Sequence, residues 1–256
     1  MAKKAGLPEL LKLMRKLRRG CPWDKKQTPE TLKTYIIEEA YELVDAIESG
    51  VPEKVCDELG DLLFQIIFQA QIFSERGLFD LAEVIDRTHK KMVARHPHVF
   101  AGGKLSTAEQ VKKQWVSLKK QTRPKTSVLG ETPKSLPGLL RARRITDNAA
   151  QVGFDWEKTE QVMAKVKEEL RELEKAVRSR SRKQKEHELG DLLFALVNLS
   201  RFLRLNPEDS LRKAIARFED RFHFLETEAE KQGRELREMT LQEMDLLWEK
   251  AKRLGK

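Results

Sequence analysis

Two sets of carboxylates stand at spacings that a helix turns onto one face. Glu38, Glu39 and Glu42 fall at about 0°, 100° and 40° around a helix axis. Glu58 and Asp61, at i and i+3, share a face of the segment that follows. The second half repeats the set as Glu168, Glu169 and Glu172, then Glu188 and Asp191. A solvated acidic face is the ordinary reading of one isolated ExxE, but three features weigh against it here. Like charges at i, i+4 cost a helix a few tenths of a kcal/mol, and no local cation is expected to offset them. The segment after Glu58 is apolar almost all round (Leu59, Leu62, Leu63, Phe64, Ile66, Ile67, Phe68), so its acids are expected to border a core. The arrangement also occurs twice. Acids crowded beside a core stay ionised only when a cation compensates them, so each half is read as a metal site. The ligands are hard oxygens with no His or Cys expected among them, which favours Mg²⁺, with Mn²⁺ possible, over zinc or iron. A di-iron bundle would need ExxH on two helices. Asp86/His89 and Asp220/His223 lie on other segments and read as surface or packing residues.

Magnesium held by a few carboxylates keeps positions open for phosphate oxygens, which gives the basic and aromatic pairs a role. Lys91 and Arg95 in one half, and Arg217 and Arg221 in the other, are i, i+4 pairs that can clamp phosphate. Trp115 with Lys119, and Trp248 with Lys252, repeat a Trp followed by Lys at i+4, offering a stacking ring beside a cation. Surface pairing and a core Trp remain equally open for each pair. Asn198 shares a face with Asp191 and is read as a ribose or base contact rather than a buried hydrogen-bonded residue. Gly60 and Gly190 interrupt each ExxD at about 1 kcal/mol relative to Ala, so a close approach of backbone or ligand is expected there. His96 and His98 flank Pro97 and are expected to shape a turn; Cys56 is expected to pack.

The elements that must carry these groups form a repeat. ELGDLLFQ at 58–65 returns as ELGDLLFA at 188–195, 130 residues later, and EEAYE at 38–42 returns as EELRE at 168–172. Segments 43–57 and 173–187, between the acid sets, are equal in length, so internal duplication is the simplest origin. Residues 121–138 hold three prolines and two glycines and read as a connector. The domains are therefore placed at 1–122 and 138–256, with 123–137 as linker. Apolar periodicity predicts helices over 7–19, 28–49, 53–76, 80–95 and 107–120, then over 137–151, 158–178, 183–205, 208–232 and 239–254. No alternating strand is found, so the fold class is all-α: two tandem helical bundles.

Composition narrows the function classes. Among 256 residues 36% are charged and 39% hydrophobic, with only 13 Gly and 9 Pro, which excludes a wholly disordered chain and argues against a turn-rich β fold. No apolar run reaches membrane-spanning length, the N-terminus lacks a signal-peptide pattern, and two cysteines make no disulfide framework, so a cytoplasmic protein is expected. The net charge of +9 is spread as +4, +2 and +3 over 1–122, 123–137 and 138–256 rather than gathered into the stripe typical of a nucleic-acid binder. Nucleic acid is not an expected partner, and small helical domains this apolar are expected to complete their cores as a homodimer.

With EExxE followed by ExxD inside ELGDLLF, the chain resembles the all-α nucleoside triphosphate pyrophosphohydrolases, and within them the tandem-domain MazG family. CPWDKKQT (21–28), RHPHVF (95–100) and GFDW (153–156) are also similar to MazG segments, so the resemblance covers nearly the full length. It implies a magnesium-dependent homodimer that hydrolyses NTPs and dNTPs to the monophosphate and pyrophosphate, with broad base preference and a housecleaning role in the nucleotide pool. Water would attack the α-phosphorus in line. It implies Glu169, Glu172, Glu188 and Asp191 as metal ligands, with Glu168 assisting the attacking water. Arg217, Arg221 and Lys252 are implied on the triphosphate and Trp248 on the nucleoside. A family lysine falls on Gln184, for which Lys185 or Lys183 is a substitute. The N-terminal ligand set implied is Glu39, Glu42, Glu58 and Asp61. Segment 173–187 holds six basic residues, against Lys54 alone in 43–57, so the C-terminal domain is expected to be the main catalyst. The alternatives are a helical regulatory module that binds nucleic acid or protein, and a narrower dUTP or phosphoribosyl-ATP pyrophosphohydrolase.

Overall fold

A computed structural model describes residues 4–102, 105, 107–121, 127, 129 and 132–255. The chain divides into two compact units, Met1–Arg123 and Pro124–Lys256. Within the expected linker 123–137, residues 123–126, 128, 130 and 131 lie outside the described residues. No strand occurs among the described residues, so the fold is all-α, and no helix is long and apolar enough to cross a membrane.

Unit 1 runs α1 (Leu7–Gly20), α2 (Pro22–Lys26), α3 (Pro29–Ser49), α4 (Pro52–Glu75), α5 (Leu81–Arg95), α6 (Pro97–Phe100) and α7 (Ala108–Gln121). Proline opens several of these helices, where its missing N–H costs nothing and its fixed φ suits the first turn. Thr28 caps α3, its hydroxyl accepting from the Thr31 amide at 3.3 Å while its own amide donates to Thr31 Oγ1 at 2.9 Å. Gly50 ends α3 at φ +67°, a conformation that glycine adopts without strain. The chain then turns back, and α3 and α4 pack as an antiparallel hairpin. Met14, Leu32, Ile67, Phe68 and Ile72 form the buried core, with Leu10, Leu11, Phe64 and Leu81 against it. Arg18 closes one side, ion-paired to Glu75 at 2.5 Å and lying over the Phe68 ring at 5.6 Å.

Unit 2 runs α8 (Gly138–Ala150), α9 (Thr159–Arg178), α10 (Arg182–Phe202), α11 (Pro207–Lys231), a 3₁₀ turn (Leu236–Glu238) and α12 (Leu241–Arg253). Helices α9 and α10 form the same kind of hairpin, α10 and α11 both pack on α8, and α12 lies along α11. The loop carrying Asp155 is tied to α10 by a two-pronged ion pair with Arg201, one prong at 2.7 Å.

The ten expected helices are present, with ends within three residues of expectation. Helices α2 and α6 are additional: Pro97 ends α5 but also opens a new turn. Two expectations need correction. The apolar side chains beside the first acid set are divided: Ile67 and Phe68 join the core and Phe64 packs against it, whereas Leu59, Leu63 and Ile66 are 52%, 42% and 44% exposed. Their repeat counterparts Leu189, Leu193 and Leu196 are 49%, 47% and 43% exposed. Cys56 is exposed rather than packed.

Candidate functional site: two carboxylate nests

Each helical hairpin brings its acids together. Carboxylate oxygens of Glu39 (α3) and of Glu58 and Asp61 (α4) lie within 4.8 Å of one another, and those of Glu169 and Glu172 (α9) and Glu188 (α10) do the same. The geometry follows from the hairpin. Glu169 and Glu172 precede the end of α9 by six to nine residues, and Glu188 and Asp191 follow the start of α10 by as many. At 1.5 Å per residue both pairs stand about 9–14 Å from the turn, face to face.

The nests differ in how their charge is balanced. In the first, Glu39 receives only a long contact from Gln65 Nε2, at 3.5 Å, and Glu58 Oε2 is buried with no hydrogen-bond partner. Burial pushes the Glu39 carboxyl above the ordinary carboxylate range, and the charges of Asp61, Glu42 and Glu58 push it further. Burial also raises Glu58, followed by the charges of Glu42, Asp61 and Asp57. Glu42 is thus an electrostatic neighbour of both. Four acids, one orphaned buried oxygen and no ammonium among the contacts described fit a divalent hard cation.

In the second nest Glu169 is buried and ion-paired to Lys165, whose Nζ lies 2.7 Å from Glu169 Oε1 and 2.9 Å from Glu168 Oε1. Those hydrogen bonds, Glu169 first, raise the Lys165 pKa and keep it protonated. The expectation that no local cation offsets the second acid set is therefore wrong: Lys165 does so from one turn earlier. His187 was likewise overlooked, and its Nε2 stands 3.4 Å from Asp191 Oδ2. It is not among the three clustered ligands, which remain all-oxygen. Both residues carry a sequence signal, since Lys165/Glu169 and His187/Asp191 are i, i+4 pairs.

The basic and aromatic residues form a separate group. Arg221 lies over the Trp248 ring at 5.6 Å, and Phe218 meets the same ring at 5.1 Å. Lys252 pairs with Glu249 at 2.5 Å, and Arg217 is exposed. The first half repeats the cation–ring contact, with Arg95 over Trp115 at 5.5 Å, while the Lys119 side chain lies outside the described residues. Helices α11 and α12 make at most marginal contact with α9 and α10. The expected phosphate and base contacts are therefore grouped with one another, and the acids with one another. Lys185 is half-buried on the first turn of α10, and Lys183 is exposed there. Asn198 Oδ1 accepts from Arg201 Nε at 3.2 Å and Nη2 at 3.0 Å, which ties it to the Asp155 bridge rather than to an open face. The close approach expected at Gly60 and Gly190 is absent within the chain, where a Cβ would meet nothing within 4 Å. His96 Nδ1 meets the Met92 carbonyl at 2.6 Å within the end of α5, and His98 Nδ1 reaches Gln114 Oε1 on α7 at 3.3 Å. Asp86 pairs with Lys90 at 2.7 Å, and His223 contacts the Glu219 carbonyl, so neither expected Asp/His pair is a ligand pair.

Comparison with known proteins covers both hairpins. A family model described as the MazG nucleotide pyrophosphohydrolase domain matches residues 27–100 and again 157–223, segments that contain both nests. The chain is 46% identical to a protein of Thermotoga maritima named nucleoside triphosphate pyrophosphohydrolase/pyrophosphatase MazG, over 98% of each chain. It is 40% identical to an Escherichia coli protein named nucleoside triphosphate pyrophosphohydrolase, over 96% of this chain and 97% of that one. A solved structure, the mazG-related protein from Thermotoga maritima, aligns with 44% of this chain and 99% of its own at 28% identity, with a TM-score of 0.40.

Proposed function

This chain belongs to the MazG nucleotide pyrophosphohydrolase family, and on that premise we propose that it hydrolyses nucleoside and deoxynucleoside triphosphates to the monophosphate and pyrophosphate. The observation that carries the reading is the convergence of Glu169, Glu172 and Glu188 within 4.8 Å on α9–α10, repeated by Glu39, Glu58 and Asp61 on α3–α4. Hard oxygen donors in that number suit Mg²⁺, or Mn²⁺, with positions left for phosphate oxygens. When bound, such an ion neutralises charge on the phosphate chain and makes water a stronger nucleophile.

The protein's own groups supply the rest. Glu169, Glu172, Glu188 and Asp191 hold the ion. Glu168 is on the adjacent helix position and orients the water that attacks the α-phosphorus. The new P–O bond forms as the bond to the α,β-bridging oxygen breaks, and pyrophosphate leaves. Arg217, Arg221 and Lys252 bind its oxygens, supported at the entrance by Lys185. Trp248 packs on the base once Arg221 leaves its ring; a ring face reads no base edge, consistent with broad base preference and a role in clearing the nucleotide pool. Because α11–α12 stand apart from α9–α10 within a chain, a homodimer is the arrangement that completes the site. The exposed stripe Leu189, Leu193 and Leu196 supports it. The six basic residues at the α9–α10 turn favour the C-terminal unit as the main catalyst, and free Cys21 and Cys56 suit a reducing cytoplasm.

A nucleotide panel with Mg²⁺ and product identification tests the reaction. Monophosphate plus pyrophosphate is expected; diphosphate plus phosphate, or no turnover with tight nucleic-acid binding, overturns it. Glu172→Ala is expected to lower kcat at least 100-fold and Glu42→Ala less than threefold; the reverse order would move the catalyst to unit 1.

A further inference from the structure

The duplication gives an internal control for one residue. Offset by 130 residues, the position of Lys165 is that of Tyr35; the five acids are shared, while Asp57 becomes His187 and Gln65 becomes Ala195. Lys165 holds Glu169 at 2.7 Å and Glu168 at 2.9 Å. Tyr35 instead turns its ring edge-on to Trp23, with centroids 5.9 Å apart. Both nests gather ligand oxygens within 4.8 Å, but in the first one buried oxygen of Glu58 has no hydrogen-bond partner.

Coulomb attraction decides what each nest does with a free divalent ion. An ion entering the first nest relieves carboxylate repulsion and, among the described residues, meets no ion-paired cation to displace. An ion entering the second must approach Glu169, whose charge an ammonium already answers at contact distance. Two cations sharing one carboxylate repel by several kcal/mol even at an effective dielectric near 20, as Coulomb's law gives for unit charges about 4 Å apart. The ammonium therefore has to leave before the ion settles. Lys165 is only partly buried, so its flexible stem permits that motion.

We propose that Lys165 is the resident counter-ion of the second nest and sets a difference between the two halves. The first nest binds a free divalent ion tightly, whereas the second binds it weakly until Lys165 is drawn off Glu169. The second nest is thereby biased to take metal that arrives with its own anion, because that anion compensates the released ammonium. This rests on the reading that both nests hold a divalent cation.

Manganese binding to the full chain, followed by the EPR signal of free Mn²⁺ without nucleotide, tests it. Glu39→Gln with Asp61→Asn leaves the second nest to report, and Glu172→Gln with Asp191→Asn leaves the first. The first nest is expected to bind at least tenfold more tightly. Lys165→Met should tighten the second nest about tenfold, Lys165→Arg should leave it weak, and Tyr35→Lys should weaken the first. Lys167→Met, an exposed neighbour on α9, separates this contact from a general loss of charge and should change affinity less than twofold. Thermal melts establish that each variant is folded. Equal affinities, or a Lys165→Met effect no larger than that of Lys167→Met, overturn the inference while leaving the metal sites in place. No Mn²⁺ at either nest overturns both.

Discussion

At the scale of single residues, crowding of like charge is the property that separates a ligand set from a solvated face. Glu39 and Glu58 are raised above their ordinary value of 4.5 by burial and by one another's neighbours. In the unfolded chain they ionise near that ordinary value, so between it and their folded values the native state binds more protons. Their contribution to stability is therefore fully present below about pH 4.5 and is lost as pH rises through the folded values. Other acids run the opposite way: Arg18 lowers Glu75 and Arg201 lowers Asp155. The clean observable is therefore a difference between two chains. In EDTA, Glu58→Gln is expected to gain melting temperature relative to the unmodified chain as pH climbs from 4.5 to 7.5, and Mg²⁺ should shrink that gain by stabilising the first nest in the unmodified chain alone. A difference that stays flat with pH would mean the acids are not compressed. The acid sets themselves were legible from spacing alone because helix geometry makes i, i+3 and i+4 neighbours in any context. Lys165 becomes legible only when acids and bases are read as one i, i+4 pattern, since its partner Glu169 is four residues on. The Asn198–Arg201 contact is not legible in the sequence, because Arg201 owes its position to a loop, at Asp155, that periodicity does not describe.

At the scale of elements, the long helices were readable because their apolar period and end signals agree, as at Thr28, Gly50 and Pro207. Helices α2 and α6, of five and four residues, are too short to show a period. Two element-level predictions follow from how α10 and α12 are held. Gly190 sits inside α10 with nothing within 4 Å of an added Cβ. Gly190→Ala should therefore stabilise the chain by up to about 1 kcal/mol in denaturant titration, and a loss of stability would reveal a neighbour absent from the single chain. Helix α12 is clamped by Lys250 to Glu228 at 2.6 Å and, through its first turn, by Glu243 to Arg234 at 2.8 Å. Lys231 and Lys250 hold Glu228 down to about 2, and Arg234 with the Thr240 cap holds Glu243 down to about 2. Depressed carboxylates stabilise above their unfolded value and lose that contribution as pH falls through the folded one. In a chain whose only tryptophan is Trp248, fluorescence should hold steady from pH 7 to 5 and change as pH falls from about 4.5 toward 2. Glu228→Gln should move that change to higher pH.

At the scale of the whole molecule, the question is why paired helices leave leucines in water. Leu59, Leu63 and Ile66 on α4, and Leu189, Leu193 and Leu196 on α10, repeat at i, i+4 and i+7, so each hairpin presents a continuous apolar stripe. A half-exposed leucine recovers about 25 cal/mol for every Å² of apolar surface removed from water, and a stripe shared by symmetric copies gains that on both sides. No comparable return comes from leaving it solvated, and scattered exposed residues would not fall on one helical line twice. The stripes flank the nests on the same helices, so a contact that covered them would also bring a second chain's elements toward the acids. Light scattering on a sizing column is expected to give twice the 29.7 kDa chain mass. Leu193→Glu puts a charge in the middle of the stripe on α10 and should return the chain to monomer at micromolar concentration. Helix content measured by circular dichroism should stay unchanged, since Leu193 is already 47% exposed in the single chain. Nucleotide turnover should fall with the dimer and recover as protein concentration rises, a concentration dependence that damage confined to one chain would not produce. A monomeric unmodified chain with full turnover would instead mean that α11–α12 reach the acids within the same polypeptide.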